Sequence, residues 1–217
     1  MVMNPEPRII RSLDMPAPTE GERRAAAEAK RLARLREVFP ERALGFALRV
    51  DESSSAAIAK LHEWAGGGGA GAGGDRREGI VVLAGATGCG KTVAAAWLAV
   101  QRSAQSFAFE PTFLRASELA TMSRYDAEAR ARWHRPRWLL LDDLGAEYLD
   151  AKGSFRADLD ELVDVYYAEG RTLIVTTNCT AEEFRARYGA RVVDRLRECG
   201  TWIAIAGGSL RGKGEPR

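Results

Sequence analysis

From residue 80 onward, the spacing of apolar residues alternates between that of strands and that of helices, and it predicts the two kinds of element in turn. Short apolar and β-branched runs predict five strands, at 80–84, 112–115, 138–142, 171–177 and 201–206. Apolar residues at helical spacing predict the intervening helices, at 92–101, from 117, at 154–168, from 181 and at 191–198. This alternation predicts an α/β fold, with a mostly parallel sheet, helices on both faces and ligands at the carboxyl ends of the strands.

The first residues follow a different pattern. Residues 1–18 carry four prolines and no periodicity, which predicts an extended arm. Thr19 and Glu22 then have the spacing of a capping box, and apolar residues recur at helical spacing after them. We therefore expect a helix over 20–39, whose polar face is either solvated or a docking surface for a partner.

A second helix and a glycine-rich stretch are predicted next. Residues 40–65 read as a short linker followed by a helix over 54–64. The seven glycines and two alanines of 66–74 predict a flexible insertion. We expect an N-terminal arm and helix over 1–50, and one main domain over 51–217.

The first predicted strand runs into the pattern G-x-x-x-x-G-K-[ST], which is typical of a phosphate-binding loop. Its residues, all expected to contact a nucleotide, are Gly85, Ala86, Thr87, Gly88, Cys89, Gly90, Lys91 and Thr92. Glycines let backbone N–H groups turn around a polyphosphate at the start of a helix, where the dipole favours negative charge. We expect Lys91 to reach the β- and γ-phosphates and the Thr92 hydroxyl to ligate Mg²⁺.

Two carboxylates end the third predicted strand, in the run Trp-Leu-Leu-Leu-Asp142-Asp143. Asp142 is expected to hold Mg²⁺ through water, as a Walker-B aspartate does. Asp143 is placed to orient or deprotonate the attacking water. Many ATPases of this architecture have glutamate there, so the shorter side chain also favours an alternative, a nucleotide-gated adaptor with little turnover.

Two further signals refine the expected chemistry. Residues 142–145 also satisfy the GTPase pattern D-x-x-G, but a guanine-specifying N-K-x-D is missing downstream, which favours ATP over GTP. The fourth predicted strand ends in Thr-Thr-Asn178, and Asn178 is the candidate polar residue that orients the attacking water. Arg191 and Arg195 are one helical turn apart and share a face, which is either an ordinary exposed basic face or the source of an arginine donated across a subunit boundary to a γ-phosphate.

Composition narrows the class of protein. The 217 residues are 46% hydrophobic and 29% charged, with a net charge of +2, which fits one α/β domain with an appendage. The three cysteines and two histidines have neither zinc-site nor disulfide spacing. The first residues lack the apolar core of a signal peptide, so we expect a soluble cytoplasmic protein.

The order of the motifs over about 40–211 carries a family resemblance. The motifs are GATGCGKT, LLLDDLG, LIVTTN, ARVVDRL and the final GGSLR. In this order they resemble the DnaC/IstB-type branch of the AAA+ ATPases, which are bacterial and phage helicase loaders and insertion-sequence helper ATPases. The resemblance implies a P-loop AAA+ core, with a five-stranded parallel sheet sandwiched by helices and an N-terminal helical extension. It also implies that Arg195 is the arginine finger, with Arg191 beside it, and that Arg211 is the sensor-2 arginine.

The resemblance implies a slow ATPase that binds Mg·ATP between subunits of a homo-oligomer and is stimulated by DNA or a partner. The partner would be a replicative helicase for a DnaC-like loader, or a transposase for an IstB-like helper. Single-stranded DNA would be held through its phosphates by a basic strip of Arg124, Arg130, Arg132, Arg135 and Arg137. A small-molecule P-loop kinase, with arginines acting in cis from a lid, is the alternative from another class.

Overall fold

The computed structural model describes residues 18–66, 79–106, 108–122, 126–149 and 153–206. Its strands are β1 (Ile80–Gly85), β2 (Pro111–Arg115), β3 (Trp138–Leu144), β4 (Thr172–Thr177) and β5 (Gly200–Ile205). They form one sheet in the order β2-β3-β4-β1-β5, and every neighbouring pair is parallel. The predicted five-stranded parallel sheet is confirmed.

Helices cover both faces of this sheet. Those before and after β1 are α1 (Glu20–Val38), α2 (Glu41–Ala47), α3 (Ala56–Gly66) and α4 (Lys91–Gln105). The later ones are α5 (Ala116–Thr121), α6 (Ala127–His134), α7 (Ser154–Ala168), α8 (Ala181–Tyr188) and α9 (Ala190–Cys199). Among the described residues, no helix has both the length and the apolar character that crossing a membrane requires.

The central strands are buried on both sides, which explains why they read as continuous apolar runs. Val81 and Leu83 of β1 pack into a core with α1 to α4. Ile80 and Val82 point the other way, into a second core with α5 to α9. The sheet is thus fixed from both faces, and its carboxyl edge is held in place for a site.

The N-terminal helices pack against the same core as α4. Leu35, Phe39 and Leu44 lie in that core. An Arg31 Nη1 donates hydrogen bonds to the Val100 carbonyl oxygen (3.1 Å) and to Ser103 Oγ (2.9 Å), both on α4. The division of the chain at residue 50 stays a prediction.

Two helices lie where the sequence pattern predicted other structure. The predicted linker after residue 40 contains α2, which is short and includes Gly45, so its apolar face is hard to recognise. The helix predicted from Ser117 ends at Thr121, and α6 then begins with its own cap, where the Asp126 side chain accepts from the backbone N–H of Glu128 (2.9 Å). The predicted arm and most of the glycine-rich insertion lie outside the described residues.

Candidate nucleotide-binding site

The loop between β1 and α4 has the geometry of a phosphate cradle. Gly88 and Gly90 have positive φ angles of 84° and 93°, which glycine adopts without strain. A Cβ on Gly85 would lie 2.7 Å from the Ile205 carbonyl oxygen, so a side chain cannot fit there. Helix α4 begins at Lys91, directly after the loop, so the N–H groups of its first turn and its dipole face the same space.

Lys91 is buried to 7% exposure and its ammonium group lies over this loop. Its Nζ donates to the carbonyl oxygens of Gly85 (2.7 Å) and Ala86 (3.0 Å). It also donates to Asn178 Oδ1 (2.9 Å) and lies 3.7 Å from Cys89 Sγ. The Lys91 ammonium group is therefore held where the loop and the end of β4 meet.

Asp142 lies at the end of β3 and is hydrogen-bonded to two hydroxyl groups. Its Oδ1 accepts from Thr92 Oγ1 (2.8 Å) and from Thr176 Oγ1 (2.7 Å). Burial raises the pKa of the Asp142 carboxyl, and the hydrogen bonds from Thr176 and Thr92 lower it in part. Thr176, on β4, was not singled out from the sequence, because only the pairing of β3 with β4 brings it beside Asp142.

Asp143 and Asn178 form the exposed side of the same cluster. Asp143 has a φ of 60°, and its N–H donates to Thr176 Oγ1 (2.9 Å). Asn178 Nδ2 donates to Asp143 Oδ1 (3.0 Å), while Asn178 Oδ1 accepts from Lys91. Asn178 thus bridges the loop lysine and the second carboxylate.

These residues line one cavity of about 770 Å³. The members predicted from the sequence are Thr87, Gly88, Gly90, Lys91, Thr92, Asp142, Asp143 and Asn178. The members that were missed come mostly from the segment over 40–58, with the others on α4, β2 and β4, and are Pro40, Arg42, Ala43, Phe46, Val50, Ser54, Ser55, Ile58, Val93, Arg115 and Thr176. Phe46, Val50 and Ile58 give one wall an apolar character, and Arg115 adds a second cation near Asp142.

The donor set at Asp142 fits Mg²⁺. Mg²⁺ prefers oxygen ligands and is usually bound by one or two protein groups together with substrate phosphates and water. Thr92 Oγ1 and Asp142 Oδ1 supply two adjacent oxygens, 2.8 Å apart, at the edge of the phosphate cradle. These are the residues that would hold the ion, and it would neutralise charge on the bound phosphates.

The predicted arginines lie elsewhere. Arg191 Nε lies 2.9 Å from Asp160 Oδ2, and Arg195 Nε lies 2.8 Å from Asp164 Oδ1, so both pair with acids of α7. Of the described residues that line the cavity, none belongs to α9. Arg211 lies outside the described residues.

Replacing Asp142 with asparagine is expected to raise the melting temperature while abolishing hydrolysis. Because the folded-state pKa of Asp142 is raised, its ionised form costs stability above that pKa, and the cost disappears as the pH falls through it. Asparagine removes the charge and keeps an oxygen for Thr92 and Thr176. Thermal denaturation without nucleotide should therefore show a gain near neutral pH that shrinks towards about pH 4. A variant less stable than the parent near neutral pH would contradict this.

Comparisons with known proteins agree with this architecture. The crystal structure of DnaI superimposes with a TM-score of 0.63 at 20% identity, covering 80% of this chain and 94% of that chain. The DnaC helicase loader gives 0.51 at 20% identity, covering 60% and 80%. A DNA replication initiation factor gives 0.51 at 17% identity, covering 68% of this chain but 43% of its own length. At these identities the likeness concerns the fold, and no curated protein matches the chain in sequence.

The family itself is given by sequence. The model of the IstB-like ATP binding protein family matches residues 75–216, which include the phosphate loop, both strand-end acids and helix α9. The match covers more than half of the chain, and it agrees with the motif order from which the resemblance was drawn. The chain therefore belongs to the family of IstB-like ATP binding proteins.

Proposed function

We propose that this protein is an ATP-hydrolysing assembly factor that acts on DNA and binds Mg·ATP at the boundary between two subunits. The observation that carries the proposal is the position of the arginines. The cavity collects Lys91, hydroxyl groups, two carboxylates and an amide, and its own arginines, Arg42 and Arg115, enter from α2 and β2. Arg191 and Arg195 lie instead on α9 beside α7. A neighbouring copy would supply Arg195 to the phosphate end of the cavity, so assembly would control hydrolysis.

The polar side chains around the phosphate loop have separate roles in this proposal. Lys91 binds the β- and γ-phosphates, and Thr92 and Asp142 hold the magnesium ion. Asp143 is exposed at the cavity mouth, where its carboxylate orients a water and accepts its proton. Asn178 holds Asp143 and Lys91 at fixed positions, since it bonds to both. The Phe46, Val50 and Ile58 wall would receive the base, and Arg211 would contact the nucleotide in cis.

The role that we favour is a DnaC-like replicative helicase loader, with single-stranded DNA bound through its phosphates. The predicted basic strip contributes part of this surface. Arg130 forms an ion pair with Glu161 and lies 2.8 Å from His134 Nε2, so its charge is partly neutralised. Arg124 lies outside the described residues. An IstB-like transposition helper is the second candidate, and the family match to IstB-like proteins favours it.

The ion pairs of α9 also bear on the kinase alternative. A kinase lid would bring Arg191 and Arg195 over the cavity of their own subunit. Both arginines instead pair with Asp160 and Asp164 on the far side of the sheet from α4. This position, together with the family match, favours an arginine supplied in trans.

Turnover per subunit is expected to rise with protein concentration and with single-stranded DNA, because assembly completes the site. Phosphate release should be measured across a range of protein concentrations, with and without an oligonucleotide, against a duplex control of the same length. Stimulation should weaken as salt is added, since phosphate contacts are screened. A turnover per subunit that is independent of concentration and DNA would contradict the proposal.

Capture of a purified replicative helicase, or of a transposase, by the full chain would separate the loader role from the transposition role.

A further inference from the structure

Glu147 is a buried carboxylate that the proposed mechanism does not use. It lies in the loop after β3, four residues beyond Asp143, and is 3% exposed. Its Oε2 accepts from the Gly145 N–H (2.7 Å), and its Oε1 accepts from Tyr188 Oη (2.7 Å) and Arg187 Nε (3.0 Å). Arg187 Nη2 also donates to the Glu147 carbonyl oxygen. This cluster is called the Glu147 network below.

A carboxylate this deeply buried costs free energy unless it is paired and fully hydrogen-bonded. Here Arg187 compensates the charge, and two further donors satisfy the oxygens. Burial raises the pKa of Tyr188, and its bond to Glu147 raises it further, so the hydroxyl stays a donor. The Glu147 network therefore holds together two segments that are 40 residues apart in sequence, the loop after β3 and the end of α8.

One end of the Glu147 network is the turn that starts at Asp143. The Ala146 N–H donates to the Asp143 carbonyl oxygen (3.3 Å), so the turn that starts at Asp143 leads directly to the Gly145 N–H bound by Glu147. Gly145 has a φ of 115°, and a Cβ there would lie 2.7 Å from Cys179 Sγ. A displacement of Glu147 therefore has to move this turn or the end of β4.

The other end of the Glu147 network is the end of helix α8, which leads into the helix that carries Arg191 and Arg195. Tyr188 is the last residue of α8, Gly189 is the single residue between the helices, and α9 begins at Ala190. Arg191 and Arg195 lie in the first two turns of α9. A fixed Tyr188 therefore fixes the start of the helix from which both arginines project.

We propose that Glu147 is a positioning residue that ties the Asp143 loop to helix α9 and so sets where a subunit presents Arg195 to its neighbour. This inference rests on the proposed function, because it requires that the arginine act in trans. Glu147 contacts neither nucleotide nor water in this scheme. It acts through Tyr188 and Arg187.

Mixed assemblies test the inference. An acceptor subunit carries Arg195→Ala and keeps its nucleotide site, and a donor subunit carries Lys91→Ala and keeps Arg195. Hydrolysis in the mixture then requires a donor arginine at an acceptor site. Adding Glu147→Gln to the donor is expected to lower the kcat of the mixture by about tenfold, because the donor's Arg195 is then misplaced. KM should stay unchanged, because the acceptor's nucleotide site is unaltered. The donor's own site is already inactive and adds nothing to either value.

The matched control is Glu169→Gln in the donor, which removes an exposed glutamate paired with Arg171, and it should leave the mixture unchanged. Sedimentation and melting temperature should show that the donors assemble and fold alike. Tyr188→Phe, which removes one hydrogen bond from Glu147, should lower kcat in the same direction by less, and it decides the matter if Glu147→Gln does not fold. A mixture that hydrolyses ATP equally well with the Glu147→Gln and Tyr188→Phe donors would overturn the inference and leave the proposed function intact. A parent mixture without hydrolysis would overturn both.

Discussion

Replacing Lys91 with alanine is expected to weaken nucleotide binding strongly and to abolish hydrolysis. The ammonium group lies 2.7 Å and 3.0 Å from two carbonyl oxygens of the phosphate loop, and its stem is buried. The other described cations that line the cavity, Arg42 and Arg115, reach it from α2 and β2 and not from the loop. Loss of charge-assisted bonds to phosphate predicts a rise of on the order of 100-fold in the dissociation constant for ATP.

Titration with a fluorescent ATP analogue and steady-state phosphate release would measure the two effects of Lys91→Ala. Lys30→Ala is the matched control, because Lys30 lines a separate cavity at the other end of α4, beside Ser103 and Ser106. That variant should bind and hydrolyse like the parent. Equal melting temperatures of the two variants would exclude unfolding as the cause. Unchanged affinity in Lys91→Ala would contradict the assignment of the loop.

Local chemistry explains what could be predicted from the sequence. The phosphate loop needs glycines and a lysine at fixed spacing next to a strand, so its motif implies its geometry. The five strands were found because each is a compact apolar run, and their carboxyl ends bring Asp142 and Asn178 to one edge of the sheet. The helix cap at Thr19 was found because a capping box depends on residues three positions apart.

Contacts between distant segments explain what could not be predicted. Thr176 bonds to Asp142 only because β3 lies beside β4, and no sequence period reveals strand order. The apolar wall around Phe46 depends on how α2 packs beside α4. Glu147 and Tyr188 are 41 residues apart and look like an ordinary acidic residue and an ordinary helix end. Residues that join two elements therefore need the fold before they can be found.

The structure also sharpens the interpretation of the two arginines. Spacing put Arg191 and Arg195 on one face, and in the structure that face meets α7 through Asp160 and Asp164. Arg191 has a side chain 74% exposed, against 35% for Arg195, so both retain access to solvent. Exposed ion pairs of this kind are weak, so a phosphate group on a neighbouring subunit would compete well with the α7 acids.

Replacing Arg195 with alanine is expected to lower turnover by about 10³-fold or more while leaving the affinity for ATP unchanged. The two effects separate because Arg195 pairs with Asp164 and Glu198 on the α9 side, away from the cavity that binds the nucleotide. A cation at the γ-phosphate stabilises charge that develops in the transition state, and it contributes little to ground-state binding when it comes from another subunit. Phosphate release under saturating ATP, with a parallel titration of a fluorescent analogue, measures both quantities.

Arg197→Ala is the matched control on the same helix, because residue 197 lies about 200° around the helix axis from residue 195. It should hydrolyse ATP at a rate close to that of the parent. Arg191→Ala is expected to fall between the two, since Arg191 shares the face of Arg195 but pairs mainly with Asp160. If Arg195→Ala weakened ATP binding and turnover equally, the arginine would act within its own subunit. The site would then be complete without a neighbour, and assembly could not be what switches hydrolysis on.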